Sequence, residues 1–298
     1  MGSSSLFQHT LAAPVVCAGV GVHTGERARL SLRPAAPNHG IVFVRSDVVG
    51  PDTRVLASPE SVVQTRLGTV IGNAAGVTVS TIEHLMSAFA ALGVDNARVE
   101  VDGPEIPIMD GSAAPFVALL DRVGLRPQGA ARRYIEVVQP VEVRDGDKRA
   151  ALMPAESFAV DFEIAFGSAA VGRQRVAFEL DEATYRREIA PARTFGFVED
   201  VEALRRSGLA RGGSLDNAVV IDGDRVLNPE GLRFPDEPVR HKALDAIGDL
   251  YVLGAPLLAR FEGLYAGHGL NNALVRALVK RPAAWRWRTP AEAMAQAV

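Results

Sequence analysis

The chain has 298 residues, 48% of them hydrophobic, with 32 Lys plus Arg against 35 Asp plus Glu and a formal net charge of −3. That is ample for a buried core and long enough for two domains, while the slightly acidic balance argues against phosphate-backbone binding, so nucleic acid is not an expected partner. No apolar run approaches the roughly 18 to 20 residues needed to span a bilayer. Met1–Ser5 lacks the parts of a secretion signal, and the single Cys17 excludes a disulfide framework or a Cys-rich zinc module. A cytoplasmic globular protein is therefore expected, in which any metal site is built from His and carboxylates.

The first half reads as strands followed by helices. An apolar run at Pro14–Val22, the His23-Thr24-Gly25-Glu26 turn and alternating Ala28, Leu30 and Leu32 predict a hairpin. Ile41–Val44 is a further strand, 46–70 reads as short strands and loops, and Val77–Ser80 precedes a helix. In that helix Ile82, Leu85, Met86 and Phe89 form the stripe, and Gly93 stands where a C-terminal cap belongs. Asn96–Val101 is a strand, and Asp110–Pro115 introduces a helix over 116–123. Residues 124–133, with Pro127, Gly129 and three Arg, make the best candidate linker, giving domains of 1–126 and 131–298.

The second half repeats that order. A hairpin is expected from 134–143 and 150–153, then a strand at 159–164, a polar segment, a helix near 180–189 and a short helix over 198–207. A strand at 218–221, a helix around Asp245, a strand at 257–261 and a helix over 270–279 complete it. No internal sequence repeat is visible. The element order nonetheless predicts an α+β fold duplicated within one chain.

The chemistry concentrates on the helix Arg240–Asp249. His241, Asp245 and Asp249 recur at i, i+4 and i+8 and so share one face. A His and an Asp one turn apart can grip a divalent metal, though alone such a pair is ordinary helix decoration. Glu83-His84 offers a third ligand in His84 and a water-activating base in Glu83. The bland alternative is a capping box, Ser80-Thr81-Ile82-Glu83. His84, His241 and Asp245 would leave the fourth position of a zinc ion open, the catalytic form of such a site. His268, between Gly267 and Gly269 just before a helix, reads as a presented acid that Asp249 orients and keeps protonated.

Ile82–Leu85, Pro104–Phe116, Arg193–Phe197, Arg240–Asp249 and Gly267–Asn272 together resemble the UDP-3-O-acyl-N-acetylglucosamine deacetylases, zinc amidases of lipid A synthesis in Gram-negative bacteria. The resemblance covers nearly the whole chain in the family's order. It implies two α+β domains like domain 2 of ribosomal protein S5, packed face to face around zinc, each with a small insert, the second at about 197–217. It implies zinc ligands His84, His241 and Asp245 (Fe²⁺ being conceivable in the cell), general base Glu83, proton donor His268 with partner Asp249, and Thr194 as hydrogen-bond donor to the oxyanion. Leu67, Phe195, Phe197, Val201, Gly213, Ser214 and Val220 would line the substrate pocket and acyl passage. Lys242 and Lys148 are candidates for sugar or diphosphate contacts, although Lys148 also reads as a solvated charge in a polar turn. The implied partner is the UDP-linked acylated amino sugar, and a monomer is expected. Two rivals stay open: a zinc hydrolase of another amide, and a binding module with a structural metal.

Overall fold

A computed structural model describes residues 6–50 and 52–290. The Met1–Ser5 stretch read for a secretion signal, and the end of the C-terminal tail, for which the sequence suggests no role, lie outside them.

The first half contains β1 (Phe7–Leu11), β2 (Val15–Val20), β3 (Arg27–Pro34), β4 (Ile41–Arg45), β5 (Arg54–Leu56), β6 (Val62–Gln64), β7 (Val70–Gly72) and β8 (Thr78–Val79). Then come α1 (Glu83–Leu92), β9 (Ala97–Val101), α2 (Ala114–Val123) and β10 (Leu125–Ala131). Strand β3 buries Ala28, Leu30 and Leu32, and β9 buries Ala97, Val99 and Val101, as a two-residue period requires of strands with one apolar face. Helix α1 is buried from Glu83 to Phe89, far more than a single stripe, and ends at Gly93, whose φ of 78° is the left-handed conformation glycine adopts freely.

The second half contains β11 (Tyr134–Val137), β12 (Val141–Asp145), β13 (Lys148–Pro154), β14 (Phe158–Ala165) and β15 (Arg173–Glu179). Next come a mixed helical turn (α3, Glu182–Thr184, continued as a π-turn to Ile189), β16 (Phe195–Phe197), α4 (Val198–Arg206), β17 (Val219–Asp222) and β18 (Arg225–Val226). The half closes with α5 (Glu237–Tyr251), β19 (Leu257–Leu264), α6 (His268–Val279), a 3₁₀ turn (Pro282–Ala284) and β20 (Trp285–Arg288).

The two main sheets share one topology. The first runs β2-β3-β9-β4-β5, antiparallel throughout except for the parallel β4–β9 pair. In the second, β12-β13-β19-β14-β15 repeats that order and every direction, with β14–β19 as the parallel pair. In each half one helix, α1 or α5, precedes the central strand, and another, α2 or α6, follows it. This is the duplicated α+β fold that the element order implied. The buried hydrophobics of both halves, Phe43 and Phe89 with Phe162 and Phe261 among them, form one continuous core. Two small sheets are the inserts: β6-β7-β8 in the first half and β16-β17-β18, with α4, in the second.

Several elements differ from expectation. The expected linker is strand β10, antiparallel to β1, with Pro127 opposite His9. A proline is tolerated there because β10 pairs with β1 alone and is an edge strand. The expected first hairpin arm is two strands, β11 pairing with β19 and β20, and β12 forming the hairpin with β13. The polar segment after β14 holds β15, which alternates exposed and half-buried residues. Helix α4 buries none of its residues.

Helices α1 and α5 pack against each other and so join the two halves. Their closest approach is at Gly248, where a Cβ would stand 2.0 Å from the Glu83 carbonyl oxygen. Only a residue without a side chain lets the backbones meet this way, and that contact sets the distance between His84 and the reactive face of α5.

Candidate metal centre and acid–base cluster

His84 enters on the first turn of α1, while His241 and Asp245 lie one turn apart on α5. The two Nε2 atoms stand 3.5 and 3.4 Å from Asp245 Oδ1, and the rings are edge to face with centroids 4.9 Å apart. All three side chains are buried. His241 Nδ1 lies 3.0 Å from the Ala192 carbonyl oxygen. A carbonyl only accepts, so Nδ1 carries the proton and the Nε2 lone pair faces the cluster. Burial holds the His241 imidazole down at a pKa of about 3, and it is neutral under ordinary conditions. Burial works to raise the Asp245 carboxyl, but His241 and Lys242 outweigh it and hold it well below the usual range. With His241 neutral, Lys242 Nζ, 2.9 Å from Oδ2, is the nearest cation that sustains the charge, with the His268 imidazolium at 3.9 Å beside it.

Asp245 Oδ1 is buried and, among the described residues, accepts no hydrogen bond. An ionised oxygen left so in a native interior is costly unless something positive belongs beside it. Two imidazole nitrogens and a carboxylate, mutually within 4.8 Å, are a donor set that suits zinc.

Beside this triad, Glu83, Asp245 and His268 form a second cluster that shares Asp245. Burial pushes the Glu83 carboxyl up, and its Oε2 accepts from the Thr69 backbone N–H at 3.0 Å. The capping-box alternative does not form: the helix begins at Glu83, and Ser80 Oγ donates to the Pro104 carbonyl instead. His268 is not ahead of its helix but is the first residue of α6. Its Nδ1 is 2.9 Å from Asp249 Oδ2, and its Nε2 is 3.9 Å from Asp245 Oδ2. Burial opposes a charged imidazole here, but Asp249 outweighs it and raises the pKa to about 9. Asp249 also accepts from Thr69 Oγ1 at 2.5 Å and from Asn271 Nδ2 at 2.9 Å.

Thr194 follows Ala192, the backbone partner of His241, by two residues, and its N–H donates to the Gly111 carbonyl at 2.8 Å. Arg193, only 2% exposed, anchors this loop: its Nε and its backbone N–H both reach Glu237 Oε1 at 2.9 Å. Glu237 is itself completely buried, at the start of α5. The Ala192–Thr194 loop and α5 are thus tied by a buried ion pair. On the opposite side, Glu105 accepts from Thr81 Oγ1, Thr24 Oγ1 and the N–H groups of His23 and Thr24.

Of the expected pocket residues, Phe195 and Phe197 on β16 stack with Phe166 at centroid distances of 5.6 and 5.5 Å. Val201 on α4 packs on Gly196, Gly213 and Ser214 lie in the loop that follows α4, and Val220 is on β17. Leu67, with φ 66°, is exposed, and its carbonyl oxygen stands 3.1 Å from His23 Nε2. Lys148 is exposed at the start of β13, where the register of Arg149 opposite Leu264 sets it level with the approach to α6. Reasoning from the sequence assigned no role to Thr69, Glu105, Arg193, Glu237, Gly248 or Asn271. Glu105 between two prolines and Asn271 after the Gly-His-Gly run were visible signals, whereas a lone loop threonine gives none.

A duplicated α+β fold whose two equivalent helices meet at a His, His, Asp donor set, with a separate carboxylate and imidazole alongside, is the framework of a metallohydrolase. The family model for UDP-3-O-acyl N-acetylglycosamine deacetylase matches residues 8–280. The chain is 70% identical over 293 residues to the UDP-3-O-acyl-N-acetylglucosamine deacetylase of Phenylobacterium zucineum (strain HLK1), an alignment covering 98% of this chain and 100% of that one. It is 52% identical over 287 residues to the enzyme of that name from Acidithiobacillus ferrooxidans (strain ATCC 53993 / BNL-5-31), covering 96% of this chain and 94% of the other. It is 49% identical over 284 residues to that of Vibrio parahaemolyticus serotype O3:K6 (strain RIMD 2210633), covering 95% and 93%. The chain belongs to this family of deacetylases, metalloenzymes whose known role is lipid A biosynthesis. No helix among the described residues is long and apolar enough to cross a membrane.

Proposed function

We propose that this chain hydrolyses the N-acetyl amide of UDP-3-O-acyl-N-acetylglucosamine to the free amine and acetate, as a cytoplasmic monomer. The observation that carries this reading is the unshared, buried Asp245 Oδ1 between two imidazole nitrogens, with Glu83 and His268 at its side. His84 Nε2, His241 Nε2 and Asp245 would hold one zinc, with Fe²⁺ a chemically suitable alternative. When bound there, the metal supplies Lewis acidity to the amide carbonyl and eases deprotonation of water.

The protein's own groups do the rest. Glu83, made basic by burial, takes the proton from the attacking water as its oxygen bonds to the acyl carbon. The Thr194 hydroxyl donates to the oxygen that gains charge, and the His268 imidazolium adds positive charge nearby. As the carbon–nitrogen bond breaks, His268 Nε2 gives its proton to the departing amine. Asp249 fixes the imidazole through Nδ1 and keeps Nε2 facing the cluster. Leu67, Phe195, Phe197, Val201, Gly213, Ser214 and Val220 would form the pocket and acyl passage, and Lys242 and Lys148 would meet the sugar and diphosphate.

Release of free amine is assayed with wild type, Glu83→Gln and His268→Gln, each with bound metal measured. Losses of roughly 10²-fold or more with metal retained are expected for both variants. Full activity in either would remove that residue from its role. Equal turnover of substrates with and without the long acyl chain would dissociate the Phe195–Ser214 segment from lipid recognition.

A further inference from the structure

We propose that Thr69 is the positioning residue that holds the base and the partner of the acid in fixed relation. The proposal rests on the roles of Glu83 and His268 given above. Thr69 is 2% exposed and sits in the loop between β6 and β7. Its backbone N–H donates to Glu83 Oε2 at 3.0 Å, and its hydroxyl donates to Asp249 Oδ1 at 2.5 Å. One residue therefore touches both carboxylates, one on α1 and one on α5.

The direction of each bond is forced. Asp249 as a carboxylate only accepts, so the single hydroxyl proton of Thr69 points at it. The other oxygen, Oδ2, takes His268 Nδ1 and Asn271 Nδ2, both at 2.9 Å. With donors on both oxygens, the carboxylate cannot turn without stranding a buried partner, a change costly in a dry interior. The plane of the His268 imidazole is fixed in consequence. A continuous chain, Glu83–Thr69–Asp249–His268, thus crosses from the first half of the molecule to the second. This gives the β6-β7-β8 insert a purpose the fold alone does not explain, since it carries the crossing point into the cluster.

The test uses Thr69→Val, which keeps the shape and the N–H but removes the hydroxyl, and Thr69→Ser, which keeps both donors. Each is made alone and with Asp249→Asn. Activity, metal content and melting temperature are measured, together with the ¹H resonance of the His268 Nδ1 proton in metal-free protein, assigned by its loss in His268→Gln. For Thr69→Val we expect kcat to fall about 10- to 100-fold, as for other supports of a reactive residue, with KM and metal content held. The imidazole proton should move upfield or broaden, and Thr69→Ser should restore both signals. In the Asp249→Asn background, the Val change should lower kcat by less than about 2-fold, because its route is already cut. If the Val variant does not fold, Thr69→Ala is read the same way.

Undiminished kcat with an unshifted imidazole proton in Thr69→Val would overturn the proposal. So would a loss in the Asp249→Asn background as large as that in wild type. Failure of the functional reading looks different: Glu83→Gln and His268→Gln would then match wild type, while the proton resonance still reports whether Thr69 holds Asp249.

Discussion

Glu83 is buried and His268 half-buried beside the same aspartate, yet their surroundings push them to opposite uses. The imidazole pKa is raised to about 9 because Asp249 outweighs burial, and the Glu83 carboxyl is raised because burial dominates. The rate should accordingly follow a bell: an acidic limb from Glu83, above its ordinary position, and a basic limb near 9 from His268. His268→Gln should abolish that basic limb. The stability consequence has a definite sign. A histidine whose folded pKa exceeds its ordinary 6.5 contributes its full stabilisation below that value and loses it as the pH rises through about 9. In metal-free protein, the melting-temperature advantage of wild type over His268→Gln should be present at pH 6 and gone by pH 10. A constant difference would show the residue to be a packing element only. Glu83 has the same pH sign, because burial raises its folded-state pKa too and stability is lost as the carboxyl ionises; an ionised carboxylate in its site costs stability, so Glu83→Gln should melt no lower than wild type at pH 7. A helix cap lost there would instead lower stability by about 1 kcal/mol.

At the scale of elements, Gly248 is the point where α5 lies on α1. Adding a methyl group 2.0 Å from the Glu83 carbonyl forces one helix to shift, because the obstacle is backbone rather than a flexible side chain. We expect Gly248→Ala to destabilise by roughly 1–3 kcal/mol and to weaken metal binding with it, since the shift separates His84 from His241 and Asp245. Titration calorimetry with zinc and a thermal melt check the two together; lost stability with unchanged affinity would show that the helices part elsewhere. The same scale shows what the sequence could reveal. Helix α1 was legible from its apolar spacing and its terminal glycine, and the spacing of His241, Asp245 and Asp249 alone set them on one face of α5. Strands β10, β15 and β20 were not. β10 and β20 become strands because partners distant in sequence, β1 and β11, offer them an edge, whereas β15 alternates but turns no fully buried face inward and pairs with its neighbour β14. The buried Arg193–Glu237 pair and the double contact of Thr69 were invisible for a related reason: a single polar residue has no period, and its meaning lies in the fold that surrounds it.

For the whole molecule, the proposed ligand set draws one histidine from the first repeat and a histidine and an aspartate from the second. Metal bound there acts as a clasp between halves and stabilises the folded chain by mass action, by about 2.7 kcal/mol when free metal is a hundredfold above Kd. Chelation should therefore lower the melting temperature. It should also raise amide exchange in α1 and α5 together, with less change in the outer strands of either sheet; loosening confined to α5 would argue against a clasp.

The same geometry imposes an order on maturation. His84 and His241 stand more than half the chain apart, and His268 lies further on. A nascent chain that has already completed its first sheet and α1 holds one of the three proposed ligands, His84, too few to retain an ion. Metal capture is then the closing event of biosynthesis rather than a seed for it, and a polypeptide interrupted before α5 leaves the cellular metal supply untouched.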